Sequence, residues 1–182
     1  ILLGLNLVAV GLFGEMEFWF ALVKVIAIIA LIIVGAVMIV MHFQTSAGPV
    51  QISNLWSHGG FFPKGVHGFA LSFQMATFAF CGVELVGLIG GETSDPKTVL
   101  PKAIDNIPIR IILFYLGSLF VIMSIYPWTS LSADRSPFVQ VFSEIGIVAA
   151  ASIVNLVVLS SAMSACNSAI YSTSRMARSL AQ

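Results

Sequence analysis

The 182-residue sequence is too apolar for an ordinary water-soluble domain, since 58% of its residues are hydrophobic, 9% are charged and the mean hydropathy is +1.01. Soluble domains carry about 25% charged residues, so this composition predicts a protein surrounded by lipid. Eight basic and eight acidic side chains give zero net charge, which argues against nucleic acid as a partner.

The ends of the sequence predict a part of a longer protein. It starts at Ile1 without an initiator methionine, a basic segment or a cleavage site, and it stops at Gln182. We therefore expect residues 1–182 to be an internal piece of a single transmembrane domain. The two cysteines, Cys81 and Cys166, lie far apart and lack metal-ligand spacing, so no metal site is predicted.

Four segments are long and apolar enough to cross a membrane, which takes about 20 mainly apolar residues. They cover approximately residues 17–41, 66–91, 109–128 and 145–176. The opening residues 1–13 are too few to cross, and we interpret them as the tail of a truncated helix. Continuous apolar runs disfavour a β-barrel, whose segments alternate over about ten residues. The predicted fold class is an all-α, polytopic transmembrane helical bundle.

The basic residues of the loops predict the orientation, because cytoplasmic loops carry the excess of Lys and Arg. One side carries five basic side chains, namely Lys97, Lys102, Arg110, Arg175 and Arg178. The other side carries Lys64 and Arg135. This count places residues 92–110 and the C-terminal end in the cytoplasm, and residues 42–65 and 129–144 outside.

The loop after the second span contains the elements of a short helix. Asp95 is a good N-cap, and Pro96 suits the first helical position because its missing N–H would be unpaired there. Pro101 and Pro108 also lack a backbone N–H, so we expect them to limit the length of this helix. Such a helix would be either a simple connector or a gating element that moves with the spans it joins.

The first span carries one internal charge, Lys24, between Val23 and Val25. An ionisable side chain inside a membrane is costly, and it usually faces the bundle interior, where it pairs or functions. Lys24 is therefore a candidate for proton coupling. The alternative is a lysine whose ammonium reaches the cytoplasmic interface along the helix.

The second span carries Glu84, which is either a second proton-coupling candidate or a structural carboxylic acid bonded to a neighbouring helix. The same segment is rich in glycine, with Gly82, Gly87, Gly90 and Gly91. A glycine costs about 1 kcal/mol in a soluble helix, so this cluster indicates either local unwinding or close helix packing. Unwound carbonyls between Phe78 and Gly82 would accept hydrogen bonds from a substrate ammonium.

The fourth span has serines at every fourth position, which places them along one ridge of a helix: Ser160, Ser164, Ser168 and Ser172. The ridge would either let helices approach closely or line an ion or substrate path. The sequence contains no phosphate-binding loop, metal cluster or Ser/His/Asp arrangement, so we predict neither an enzyme nor a cofactor.

The segment FAFCGVELVGLIGGETSDPKTVLPKAIDNIPIRIILFYLGSLFVIMSIYPW resembles the bacterial amino acid transporter family of the amino acid, polyamine and organocation superfamily. GEMEFWFALVKVIAI at 14–28 and SSAMSACNSAIYSTSRMARSLA at 160–181 extend the resemblance over essentially the whole chain. That family has twelve spanning helices, the first ten forming two inverted five-helix repeats. The resemblance implies that this chain holds the end of helix four and helices five to eight.

The resemblance also implies roles for individual residues. The unwound stretch of helix six offers carbonyls to the substrate α-ammonium while its side chains shape the pocket, and the matching residues are Phe78, Ala79, Phe80, Cys81, Gly82 and Glu84. Lys24 matches a helix-five lysine that, in proton-coupled relatives, stands where sodium-coupled relatives bind an ion. The part of helix eight that would flank this position contains Ser160, Ser161 and Ser164.

The function implied by the resemblance is a permease of the plasma membrane that imports an amino acid with a proton by alternating access. Its partners would be the amino acid, the proton, the lipid bilayer and the remaining helices of the same full-length chain. Two alternatives stay open: an amino acid exchanger without proton coupling, and a non-transporting membrane scaffold in which Lys24 and Glu84 are structural. The motif is similar both to carriers of glycine, D-alanine and D-serine and to carriers of aromatic or branched substrates.

Overall fold

The computed structural model describes residues 10–83, 95–131, 134–146 and 148–181. The α-helices within these ranges are α1 (Val10–Val40), α2 (Gly65–Ala79), α3 (Pro96–Arg110), α4 (Gly117–Ile125), α5 (Pro137–Glu144) and α6 (Val148–Leu180). A π-helical segment joins α3 to α4. The chain divides into two compact units. Unit 1 combines residues up to Leu31 with residues from Phe138 onward, and unit 2 comprises Ile32–Pro137.

Three stretches of the described chain are long and apolar enough to cross a membrane. They are Glu17–Val40 in α1, Pro96–Ile125 from α3 to α4, and Ser152–Arg178 in α6. The predicted all-α class is therefore confirmed. The helix of the second predicted span, α2, ends at Ala79, and residues 84–91 of that span lie outside the described residues.

Helix α3 begins at Pro96, directly after Asp95, as the sequence predicts. The Asp95 carboxylate does not cap a backbone N–H in this structure. Instead, its Oδ2 accepts a hydrogen bond of 2.5 Å from the hydroxyl of Thr98. The first turn of the helix is thus held by a side-chain contact three residues along the chain.

The prediction that Pro101 and Pro108 limit this helix is wrong, because the helix runs through both and continues to Ile125. A proline removes one backbone hydrogen bond and crowds the preceding turn. In a membrane helix, a local π adjustment can satisfy the freed backbone groups. The π-helical segment Ile111–Leu116 begins three residues after Pro108, in the part of the helix where such an adjustment is expected.

Unit 1 contains the N-terminal part of α1 with α5 and α6. Its buried apolar side chains include Leu31, Val141 and Val154, with Leu31 and Val141 fully covered. Two polar side chains of α6, Ser164 and Asn167, are buried as well. Helix α5 lies in the stretch 129–144 that the orientation argument treats as an outer loop, so this loop carries a helix of its own.

Unit 2 contains a close approach between the C-terminal half of α1 and α4. A Cβ atom added to the buried Gly35 would lie 1.9 Å from Val121 Cγ1, far inside normal contact distance. Small residues let membrane helices approach in this way. Gly35 therefore sets how closely the two helices pack in unit 2.

The segment between α1 and α2 is fastened to the end of α4. It forms a short antiparallel hairpin, β1 (Gln44–Thr45) with β2 (Gly48–Pro49), followed by a 3-10 turn. The buried Asn54 donates hydrogen bonds from Nδ2 to the carbonyls of Pro49 (3.2 Å) and Ser124 (2.9 Å). The predicted surface loop thus has a fixed anchor on a membrane helix.

Candidate functional site

The ammonium of Lys24 is directed toward α6. Its Nζ donates a hydrogen bond of 2.8 Å to the Oγ atom of Ser164. Lys24 is half-buried, whereas Ser164 is only 3% exposed. Lys24 therefore contacts a neighbouring helix within unit 1, and its role in proton coupling stays a prediction.

The hydroxyl of Ser164 also contacts a carboxylate of α1. It donates a hydrogen bond of 2.5 Å to Oε2 of Glu17, and Ser168 donates one of 2.8 Å to Oε1. Hydrogen bonds to ionised groups are shorter and stronger than those between neutral groups. Ser164 thus links an ammonium to a carboxylate, and we refer to Lys24, Ser164 and Glu17 as the hydroxyl bridge.

Helical geometry explains why these four side chains meet. Glu17 and Lys24 are seven residues apart and share one face of α1, while Ser164 and Ser168 are four apart on one face of α6. Glu17 contacts both serines, whereas Lys24 contacts the earlier one, so the two helices run antiparallel here. A rise of about 1.5 Å per residue separates the backbones of Glu17 and Lys24 by about 10 Å along the axis, which leaves room for Ser164 between them.

The serines of α6 differ in their hydrogen-bond partners. Ser160 and Ser161 both donate from Oγ to the carbonyl of Val157 in their own helix, each at 2.8 Å. Ser172 likewise donates to the carbonyl of Ser168 at 2.8 Å. Of the three serines expected to flank Lys24, Ser164 is the one that these contacts bring to it.

Sequence reasoning missed Glu17 and the role of Ser168. The sequence prediction begins the first span at Glu17 and names Lys24 as its one internal charge. A signal was present, since an acidic and a basic residue seven positions apart lie on the same helix face. The four-residue spacing of the serines carried the complementary signal on α6.

The second predicted site lies where α2 ends. Beyond Ala79 the backbone forms tight turns in which N–H groups bond three residues back, from Phe80, Cys81 and Val83 to the carbonyls of Thr77, Phe78 and Phe80. Gly82 has a φ of +98°, a conformation that glycine adopts without steric cost. Helix α2 thus ends at Ala79, three residues before Gly82, the first glycine of the cluster. Glu84 lies outside the described residues.

A tyrosine of the π-helical segment contacts the C-terminal end of α2. The hydroxyl of Tyr115 donates a hydrogen bond of 3.0 Å to the carbonyl of Ala79, and its ring lies 5.6 Å from that of Phe80 between centroids. The carbonyls of Phe78, Ala79 and Phe80 therefore each accept at least one hydrogen bond from the chain already. A carbonyl oxygen that accepts one hydrogen bond keeps a second lone pair for a further donor.

An open cavity with a volume of about 630 Å³ lies beside the end of α2. Two of the predicted substrate-contacting residues, Phe78 and Cys81, line it together with Gln74, Met75 and Thr77. Phe78 is 77% exposed, so its side chain is available for contact. Contact of these residues with a substrate stays a prediction.

Known amino acid permeases and transporters are similar to this chain over its whole length. A sequence profile described as amino acid permease matches residues 1–182. The chain is 65% identical to an uncharacterized transporter, YdgF, and 64% identical to the amino-acid permease AapA, both from Bacillus subtilis and each over 182 residues. It is 55% identical over 183 residues to the D-serine/D-alanine/glycine transporter of Escherichia coli K12.

All 182 residues are covered in these matches, but the chain spans only 39–40% of the length of these relatives. No solved structure matches it. The relatives are named as transporters and permeases rather than as enzymes.

Proposed function

This chain belongs to the amino acid permease family and is part of a multi-pass membrane protein, and from this premise we propose that the full-length protein imports amino acids across the plasma membrane. Uptake is coupled to a proton and proceeds by alternating access. The amino acid, the proton and the helices beyond this chain are its partners. The cytoplasmic side is that of residues 92–110 and of the C-terminal end.

The hydrogen bond between Lys24 and Ser164 is the observation that supports proton coupling most directly. It joins the ionisable side chain inside the first apolar span to a buried hydroxyl of a second helix. A charged group in this setting stays only where it is paired. Gain or loss of the Lys24 proton changes this contact, and a changed contact between α1 and α6 favours a different arrangement of the two helices.

The substrate binds at the interrupted end of α2. Its α-ammonium is hydrogen-bonded by carbonyls between Phe78 and Gly82, and small neutral amino acids are the first candidates. This choice is supported by the relative named for D-serine, D-alanine and glycine. The end of α2 at Ala79 and the open cavity beside it support the location.

Transport in proteoliposomes that contain the full-length protein tests this proposal. A panel of labelled glycine, D-alanine, D-serine and L-phenylalanine is offered with and without an inwardly directed proton gradient. We expect accumulation of the small substrates that depends on the gradient and is lost in Lys24→Ala. Ser172→Ala is the matched control, since the Ser172 hydroxyl bonds to its own helix.

Three outcomes would contradict parts of the proposal. Uptake that needs internal amino acid and ignores the gradient would identify an exchanger. Absence of uptake for the whole panel, from a well-folded protein, would favour a scaffold. Unchanged uptake and expression in Lys24→Ala would leave Lys24 with a structural role.

A further inference from the structure

We propose that Glu17 is the proton-accepting partner of Lys24 and that the proton moves between them through the hydroxyl of Ser164. This inference rests on the proton-coupled uptake proposed above and adds a residue to it. It assigns a function to Glu17, which sequence reasoning placed at the edge of the first span.

The directions of the hydrogen bonds suit such a transfer. The ammonium of Lys24 donates to Ser164 Oγ at 2.8 Å, and the same hydroxyl donates its own hydrogen to Glu17 Oε2 at 2.5 Å. The ammonium, the hydroxyl and the carboxylate are therefore aligned in the order that the transfer needs. Both heavy-atom distances lie within or just below the range of about 2.6–3.2 Å that proton transfer needs.

The transfer balances within the hydroxyl bridge. A proton leaves Lys24 Nζ for Ser164 Oγ as the hydroxyl hydrogen of Ser164 passes to Glu17 Oε2. The N–H bond of the ammonium and the O–H bond of the serine break, while a new O–H bond forms on each oxygen. The products are a neutral amine, an unchanged serine and a carboxylic acid.

Electrostatics in an apolar span allow this exchange. Both forms of the bridge have zero net charge, so no isolated charge is created in a medium that solvates charges poorly. Ser164 is 3% exposed, which keeps water from replacing the hydroxyl between the two groups. Ser168 holds the second carboxylate oxygen at 2.8 Å and so fixes the orientation of Glu17.

The geometry also gives the transfer a direction across the membrane. Glu17 lies about two turns closer than Lys24 to the N-terminal end of α1. The count of basic residues predicts that this end faces the cytoplasm. Glu17 is therefore the member of the bridge from which an imported proton is released.

Two readouts on the full-length protein in proteoliposomes test the relay. The first is accumulation driven by the proton gradient, together with proton co-uptake followed by a pH-sensitive dye inside the vesicles. The second is counterflow, in which labelled and unlabelled amino acid exchange without net proton movement. A structural defect lowers both, whereas loss of the relay lowers the first and spares the second.

Glu17→Gln keeps the size of the side chain but removes its carboxylate. A positioned proton-transfer group typically contributes 10²–10⁴-fold to a rate, so we expect gradient-driven uptake and dye signal to fall by at least about tenfold. Ser164→Ala has the same effect, and Ser164→Thr, which keeps the hydroxyl, retains most of the coupling. Counterflow stays near the wild-type rate in all three variants and in the control Ser172→Ala.

The outcomes distinguish this inference from the proposed function. Full coupling in Glu17→Gln, with coupling lost in Lys24→Ala, overturns the relay and leaves proton symport intact. A wild-type protein without gradient-dependent uptake overturns both. If Glu17→Gln does not fold, the comparison of Ser164→Ala with Ser164→Thr decides: equal coupling in the two overturns the relay.

Discussion

Replacing Gly35 by alanine tests the close helix packing in unit 2. The added methyl group would lie 1.9 Å from Val121 Cγ1 and 3.3 Å from Val121 Cβ, whereas carbon atoms pack best at about 3.5–4.0 Å. Val121 is 3% exposed, and a valine in a helix strongly prefers one χ1 rotamer. The overlap is therefore relieved mainly by moving the helices apart.

The expected cost follows from two opposing terms. Overpacking a well-filled contact costs about 1–3 kcal/mol, while alanine gains up to about 1 kcal/mol over glycine in a helix. With the full propensity gain subtracted, Gly35→Ala should therefore lower the free energy of unfolding by up to about 2 kcal/mol. Gly117→Ala is the matched control, because the nearest atom to its new methyl would be the flexible tip of Ile32 at 3.3 Å, with the next atoms at 4.0 Å.

Thermal unfolding of the purified full-length protein in detergent measures both changes. We expect a lower Tm for Gly35→Ala and an equal or higher Tm for Gly117→Ala. Adding Val121→Ala removes the clashing methyl, so the double variant should be more stable than additivity predicts, by about 0.5–3 kcal/mol. Equal effects of the two glycine substitutions, or an additive cycle, would refute the close approach at Gly35.

Two further predictions concern single contacts. Asn54→Ala removes the side-chain hydrogen bonds to the carbonyls of Pro49 within the loop and of Ser124 in α4, so we expect a loss of about 1–3 kcal/mol in stability and faster proteolysis between residues 42 and 64. Asn54→Asp, which keeps the size but lacks the donor, should be no better, and a neutral result for Asn54→Asp would contradict this account. Tyr115→Phe removes the hydrogen bond to the Ala79 carbonyl but keeps the ring beside Phe80, so hydrogen exchange of the amides at 80–83 should accelerate while Tm changes little. Unchanged exchange would show that the Tyr115 hydroxyl does not hold the backbone at the end of α2.

Features that depend on neighbouring residues along the chain could be predicted from the sequence. The apolar runs predict an all-α membrane protein, because the length of an apolar segment is compared directly with the thickness of a bilayer. Asp95 followed by Pro96 predicts the start of α3, and the glycine cluster indicates either local unwinding or close helix packing near the point where α2 ends. The motifs from Phe78 to Trp128 indicate the family, which comparison with known proteins confirms.

The rule that a proline ends a helix failed for α3, which contains two internal prolines. Pro101 and Pro108 each remove a backbone hydrogen bond, yet the α-helix runs through both, and a π-helical segment begins three residues after Pro108. The sequence alone does not specify whether a helix ends at a proline or adjusts around it, since both outcomes satisfy the backbone groups.

The apolar runs of the sequence predict a membrane protein and place Lys24 within the first span, where it either faces the bundle interior or reaches the cytoplasmic interface. The periodicity of the sequence made Ser160, Ser164, Ser168 and Ser172 equal members of one ridge. Only tertiary structure decided which of them act together, because a serine hydroxyl bonds either to its own helix or to a partner that packing brings within reach. The packing of α6 on α1 placed Ser164 between Lys24 and Glu17. The backbones of these two charged residues lie about two turns apart along α1, so the sequence alone does not show that one hydroxyl contacts both.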